Sequence, residues 1–109
     1  MAAKLVALWG KPQDVPGFDA HYRNTHLGIV KRWPNLQSYS VTRITGSPLG
    51  GEVPYYQIFE ATFATEEHLR EALRSPAMAE AGRDAAEMVR RFGATLTLLT
   101  GTEEAEPDR

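Results

Sequence analysis

Residues 18–29 carry side chains that can bind a molecule and transfer a proton, at a spacing typical of a helix. Phe18, Tyr22 and His26 are four residues apart, and Ile29 follows three residues later. At about 100° per residue these side chains share one side of a helix, within less than about a quarter of its circumference. An imidazole can accept and return a proton at neutral pH without a cofactor. Because polar atoms on such a face need partners, the pattern predicts a hydrogen-bonded core or a pocket beneath the helix.

His26 and Tyr22 are the candidate catalytic residues, and each has two interpretations. His26 is either a structural residue, bonded to a backbone carbonyl or to Tyr22, or a general acid/base that lines a pocket. The second interpretation suits isomerisation, dehydration or proton abstraction next to a carbonyl. Tyr22 either orients the imidazole and binds a substrate oxygen, or closes the edge of the core. Phe18 provides an apolar wall in both cases.

The remaining polar side chains are weaker candidates. His21 and His26 are five residues apart, about 140° around an α-helix, so we expect them not to bind one metal ion together. His68 falls beside acidic residues in a predicted first helical turn, which favours a solvated position. Arg43 either anchors a substrate carboxylate or lies solvated at a sheet edge. The sequence therefore predicts no metal site and no cofactor.

Length and composition restrict the class of protein. A chain of 109 residues with 42% hydrophobic content predicts one compact domain. The formal net charge is −2, with 12 basic and 14 acidic residues mixed along the chain, so nucleic acid is not an expected partner. The chain has no cysteine, which excludes disulfides and cysteine nucleophiles. No apolar run approaches the roughly 20 residues that span a bilayer, so we expect no membrane contact and a cytoplasmic location.

Alternating patterns predict the element order βαββαβ. Strands are predicted over residues 4–9, 36–45, 55–64 and 94–100, where short apolar or β-branched runs end at glycine or proline. One helix is predicted over residues 16–31, and a second from the N-cap Thr65 to Phe92, with a break at Ser75-Pro76. The domain is expected to span residues 1–101, followed by a flexible acidic tail over residues 102–109.

This order is that of the α+β ferredoxin-like fold, in which a four-stranded antiparallel sheet carries both helices on one face. Both faces of the predicted strands carry apolar residues, since Val6 and Leu8 alternate with Leu5, Ala7 and Trp9. A monomer would expose the second face to water. We therefore expect a homodimer in which two sheets pack face to face and form a closed barrel.

The chain resembles the EthD family of dimeric α+β barrel proteins over roughly residues 4–101. The resemblance rests on Phe18-x3-Tyr22-x3-His26 in the first helix and on Pro34-Asn35-Leu36 before the second strand. In such barrels small, mostly apolar ligands occupy a pocket between the sheet and the helices of each subunit. The resemblance implies that Phe18, Trp9 and Tyr39 bind substrate there, next to His26 and Tyr22.

The sequence departs from the family pattern at two positions. Family members often have proline two residues after the histidine and glycine before the leucine, where this chain has Gly28 and Asn35. Glycine permits the helix to bend or end but does not force it. Asparagine still tolerates a left-handed turn.

The function expected from the residues and the resemblance is binding of a small apolar or aromatic metabolite between the first helix and the sheet. His26 would then act in acid/base catalysis of the isomerase, dehydratase or cyclase type. Two alternatives stay open at this point. One is a non-catalytic binding or accessory protein of a degradation or biosynthetic pathway, and the other is a cofactor-independent monooxygenase.

Overall fold

The computed structural model describes residues 1–105 and shows a four-stranded sheet with helices on one face. The strands are β1 (Ala3–Trp9), β2 (Leu36–Arg43), β3 (Gln57–Phe63) and β4 (Leu96–Thr102). The helices are α1 (Val15–His21), a π-helical turn (Tyr22–His26), α2 (Leu27–Val30), α3 (Glu66–Leu73) and α4 (Pro76–Phe92). The predicted α+β ferredoxin-like fold is confirmed.

The sheet is antiparallel, with the strand order β2-β3-β1-β4. β1 is central, so that Ala7 pairs with Phe59 on one side and with Leu98 on the other. Burial alternates along β1 and β3, because one face of the sheet packs against the helices and the other does not. Trp9, at the end of β1, lies on the packed face and is fully buried.

Local sequence signals set the ends of the later helices. The Thr65 hydroxyl accepts a hydrogen bond from the backbone N–H of His68 at 3.1 Å and begins α3. Ser75 caps α4 in the same way, and Pro76 follows at the first position of that helix. Gly93, with a φ of 65°, ends α4 in the left-handed conformation that glycine adopts without strain. The predicted cap at Thr65 and the break at Ser75-Pro76 are confirmed.

The first helical segment is continuous over residues 15–30 but is not α-helical throughout. In the π-helical turn the backbone bonds reach one residue further, and the N–H of Leu27 donates to the carbonyl of Tyr22. α2 passes through Gly28 without ending there. Asn35 then adopts a φ of 64°, the left-handed turn that asparagine tolerates, and leads the chain into β2.

Some strand ends differ from the prediction. β3 begins at Gln57 rather than at residue 55, and β4 begins at Leu96 rather than at residue 94. β4 also continues to Thr102, because β1 provides backbone hydrogen-bond partners along this length and its Ala3 pairs with Thr102. Beyond the strand, the N–H of Glu103 donates to the carbonyl of Ala2 at 2.8 Å. Of the predicted tail, residues 106–109 lie outside the described residues.

Within residues 1–105, none of the helices has the length and apolar character needed to cross a membrane.

Candidate functional site

An apolar cavity of about 210 Å³ lies between the sheet and the helices. Side chains on the packed face of the sheet form its floor: Leu5, Ala7, Trp9, Phe59, Leu96 and Leu98. Its walls include Tyr22 and His26 from the π-helical turn, together with side chains of α3 and α4. Leu73 on α3 and Leu98 on β4 also line it, and they are 41% and 60% exposed. The cavity therefore opens to the surface between α3 and β4.

Trp9 is the centre of an aromatic cluster that packs against the stripe of the first helix, which consists of Phe18, Tyr22, His26 and Ile29. Its indole makes edge contacts with the rings of Phe18, Tyr22 and His26, at centroid distances of 5.1, 6.2 and 6.2 Å. The rings of Tyr22 and His26 are 5.3 Å apart, and Phe18 stacks on Tyr22 at 5.7 Å. Such pairs contribute roughly 0.5–1.5 kcal/mol each beyond the area that they bury. All four members of the stripe, including Ile29, are buried.

The imidazole of His26 is bonded to a carboxylate on the opposite helix. Its Nδ1 lies 2.8 Å from Oδ2 of Asp84 in α4. Because a carboxylate only accepts hydrogen bonds, Nδ1 carries the hydrogen, and Nε2 of the neutral ring keeps its lone pair. The side chains of His26 and Asp84 are 8% and 14% exposed, so the pair is shielded from water. The cavity wall thus holds an imidazole whose second nitrogen is basic.

His21 binds the same carboxylate as His26, so the separation of about 140° that a regular α-helix predicts for these two residues does not occur. Its Nε2 lies 2.8 Å from Oδ1 and 3.1 Å from Oδ2 of Asp84. The turn between the two histidines is π-helical, which brings positions five residues apart onto one face. Within residues 1–105, no group of three or more His, Asp or Glu side chains is arranged to hold a metal ion.

Burial favours the neutral forms of both polar side chains in the cavity wall. It lowers the pKa of His26 below the ordinary value of 6.5; the hydrogen bond and charge of Asp84 oppose this shift, and the charge of His21 adds to it. Burial also raises the pKa of the Tyr22 phenol far above its ordinary value, with Tyr39 adding to the rise. At neutral pH the wall therefore presents a base and a hydrogen-bond donor side by side.

The three predicted substrate-binding residues occupy different places. Trp9 lines the cavity. Phe18 is fully buried against Tyr22 and Trp9, and Tyr39 stacks on Phe59 at 5.8 Å. The lining formed by the described residues includes neither of these two rings. Phe18 and Tyr39 therefore support side chains of the wall and floor rather than form them.

Arg43 binds a carboxylate of the protein itself. Its guanidinium donates to Oδ1 of Asp19 at 2.9 Å and lies 4.0 Å from the centroid of the Tyr56 ring. The Tyr56 hydroxyl donates to the same carboxylate at 3.0 Å. Arg43 lies on the edge strand β2 with its side chain 44% exposed, which agrees with the expectation of a solvated arginine at a sheet edge, and it is in addition paired with Asp19 and stacked on Tyr56.

Asp84 is the site residue that sequence reasoning misses. It lies 58 residues from His26 in the chain, so no local motif joins the two. One signal is its place in α4, where it follows Ala81 by three residues and precedes Met88 by four. Ala81 and Met88 are both buried, so this spacing places the Asp84 carboxylate next to the apolar face of an amphipathic helix.

Trp33 is a second lining residue without a sequence signal. Its indole N–H is buried and finds no acceptor among residues 1–105. A buried donor without a partner costs about 1–3 kcal/mol. An acceptor on a bound molecule would remove this cost if it reached the N–H.

The fold and the site define a ferredoxin-like α+β protein with an apolar cavity and a buried imidazole. The sequence model of the EthD domain matches residues 11–91. The chain is 38% identical to an ethyl tert-butyl ether degradation (EthD) family protein from Bacillus halodurans, whose crystal structure superposes with a TM-score of 0.85. The match covers 95% of this chain and 100% of that one. The protein belongs to the EthD family.

Other solved structures share the fold at lower identity. A dimeric ferredoxin-like protein of unknown function from Thermobifida fusca is 15% identical, with a TM-score of 0.67 over 94% of this chain and 92% of that one. SnoaB, a cofactor-independent oxygenase from Streptomyces nogalater, is 13% identical, with a TM-score of 0.66 over 96% and 95%. These likenesses show the fold alone. No curated protein matches the chain at a significant level.

Proposed function

We propose that the protein binds a small apolar or aromatic molecule in the cavity and that His26 transfers a proton to or from it. The reaction would be of the isomerase, dehydratase or cyclase type. The observation that carries the proposal is the His26–Asp84 pair in the wall of an apolar cavity. A purely structural histidine needs a hydrogen-bond partner but no empty space beside it.

The size of the cavity limits the ligand. An apolar cavity of about 150 Å³ is enough to bind benzene. The volume of about 210 Å³ therefore accommodates one substituted ring or a short branched ketone. The Tyr22 phenol supplies a donor at the wall, which favours a ligand with an acceptor oxygen.

The Asp84 carboxylate supports proton transfer in two ways. It fixes the hydrogen on Nδ1 of His26, and it stabilises the imidazolium that forms when Nε2 takes a proton from the ligand. The lowered pKa of His26 keeps the ring in its basic form at neutral pH beforehand. The neutral Tyr22 phenol can donate to a carbonyl oxygen on which negative charge develops.

A simple aromatic ketone tests the proposed chemistry without knowledge of the natural substrate. We expect the protein to accelerate exchange of the acetophenone methyl hydrogens for deuterium in D2O, measured by NMR. General acid/base catalysis contributes about 10²–10⁴-fold, and His26→Gln should remove that contribution while leaving the cavity open. Equal exchange rates for the wild type and His26→Gln, with acetophenone bound to both, would leave only a non-catalytic binding protein.

Two glycines provide a matched test of the cavity itself. Gly82 lines the cavity on the exposed side of α4, whereas Gly28 in α2 is exposed elsewhere, and a Cβ at either position meets no atom within 4 Å. Gly82→Leu should place a large side chain against the cavity and abolish the acetophenone-induced shifts of the cavity resonances. Gly28→Leu should leave them unchanged. Binding that survives Gly82→Leu would place the ligand outside this cavity.

We also propose that the chain forms a homodimer through the face of the sheet that the helices leave open. Val6 pairs with Leu99 and Leu8 with Ile58 on this face, and Leu99 is 50% exposed. Removing such apolar surface from water contributes about 25 cal/mol per Å² in favour of association, against the entropy that association costs. The Thermobifida fusca relative of the same fold is dimeric.

Light scattering after gel filtration tests the homodimer. The wild type should elute at twice the mass of the chain, and Leu99→Glu should shift it to the monomer because a charge would be buried. Val41→Glu, a similar change at an exposed position of the packed face, serves as the control. A monomeric wild type would contradict the proposal.

A further inference from the structure

Asp84 is shared by two imidazoles, of which one reaches the cavity. Its Oδ2 lies 2.8 Å from Nδ1 of His26 and 3.1 Å from Nε2 of His21, and Oδ1 lies 2.8 Å from the same nitrogen of His21. The lining formed by the described residues includes His26 but not His21. His21 instead borders a polar groove on the surface, with Asn24 and Arg91. It can therefore influence the cavity only through Asp84 and through its own charge.

We infer that His21 is a positioning residue, which limits how strongly the Asp84 carboxylate holds a proton on His26. The inference rests on the proposed role of His26 as a base. It assigns to His21 no contact with the bound molecule.

The physical basis is competition for one negative charge. A carboxylate bonded to a single imidazole favours the protonated form of that ring. Here the N–H of His21 occupies the same two oxygens, which weakens the pull of Asp84 on His26. When His21 is itself protonated, its charge opposes a second positive charge on His26. Both effects favour the unprotonated form of His26, which is the form that can accept a proton from a ligand.

Within residues 1–105, the titratable side chains near the two rings lie on three helical elements, and one of these side chains is the neutral Tyr22 phenol, 5.3 Å from the His26 ring. Asp84 of α4 faces both histidines. Asp14, at the start of α1, and Arg91 of α4 border the groove next to His21. From the sheet the uncharged Trp9 indole faces His26. The charge that the two histidines share is therefore that of Asp84, whereas Asp14 and Arg91 lie at the groove that His21 borders.

The chain has only three histidines, so a titration followed by imidazole NMR resolves each ring. We expect His21→Leu to move the titration midpoint of His26 to higher pH, because Asp84 then acts on one ring alone. His21→Gln, which keeps an N–H donor but not the charge, should give a smaller shift in the same direction. His68→Gln is the matched control and should leave the midpoint of His26 unchanged.

The acetophenone exchange reaction provides the second measurement. In His21→Leu the acid limb of the pH–rate profile should move to higher pH, and the rate on the alkaline plateau should not fall below the wild-type value because His26 is then the stronger base. A merely structural role would lower the rate at every pH and leave the midpoint in place. A midpoint of His26 that is unchanged or lower in both His21 variants would overturn the inference. This NMR titration needs no ligand, so its outcome is independent of whether the proposed exchange reaction occurs.

Discussion

Asp19 and Asp84 are two carboxylates of similar burial with different partners. Their side chains are 17% and 14% exposed, and each accepts hydrogen bonds from two side chains. Asp19 binds the Arg43 guanidinium and the Tyr56 hydroxyl, whereas Asp84 binds two imidazoles. Arginine does not lose its proton in a protein, but an imidazole titrates near neutral pH. The Asp19 carboxylate therefore has a partner whose charge does not change near neutral pH, and the Asp84 carboxylate has partners that can take part in proton chemistry.

The surroundings of the partners add to the difference. The Arg43 side chain is 44% exposed, so water can solvate it when the pair opens. The His26 side chain is buried and lines the cavity. The burial of a carboxylate alone thus does not distinguish a structural pair from a candidate site. What distinguishes the two carboxylates is whether their partners titrate near neutral pH and whether those partners line the cavity.

Removing each carboxylate should show the largest contrast. Asp84→Ala leaves two imidazole N–H groups without an acceptor, one of them buried, and we expect it to lower the free energy of unfolding by about 2–3 kcal/mol. Asp19→Ala leaves groups that water can reach and should cost about 1 kcal/mol. Urea unfolding at neutral pH measures both variants. Equal losses would show that the two carboxylates are energetically alike.

Much of the fold follows from local patterns in the sequence. Period-two alternation, Thr65, Ser75-Pro76 and Gly93 predict the elements because each acts on its own stretch of backbone. The π-helical turn could not be predicted, since it trades regular hydrogen bonds for contacts with α4 and β1 that only the folded chain provides.

Of the candidate site, the residues on the first helix can be predicted from the sequence, whereas the residue that α4 contributes cannot. The stripe of Phe18, Tyr22 and His26 repeats at helical spacing, so its inward face can be inferred from the sequence. Asp84 joins the stripe through tertiary packing across 58 residues, and a single sequence holds no record of that contact. A regular α-helix would place His21 on another side from His26, and the π-helical turn between them is what brings both to one carboxylate.

The pH dependence of the unfolding free energy should also distinguish the two carboxylate pairs, by less than the removal of the carboxylates does. The pKa of His26 is lowered in the folded protein, so the unfolded chain binds more protons between that pKa and 6.5. The free energy of unfolding should therefore fall as the pH drops below 6.5 and on through the folded pKa. We expect His26→Gln to reduce the difference between urea titrations at about pH 7.5 and about pH 5.5, and Asp19→Ala to retain it. A wild-type difference that His26→Gln leaves unchanged would show that other groups cause the loss.

The smallest expected difference between the two carboxylates is in how much salt weakens the coupling energy of each with its partner. Arg43 and Asp19 carry opposite full charges near the surface, and such pairs couple by about 0.2–1 kcal/mol. At about 1 M NaCl the screening length is only about 3 Å, so the coupling energy from the Asp19→Ala and Arg43→Ala double-mutant cycle should fall by roughly half.

The bond between Asp84 and His26 joins a charge to a neutral ring at neutral pH and is shielded from water. Its coupling energy, from Asp84→Ala and His26→Gln, should change by less than about 0.2 kcal/mol over the same range of salt. If salt weakens both couplings equally, His26 is charged at neutral pH, and the assignment of the cavity imidazole as a free base fails with it.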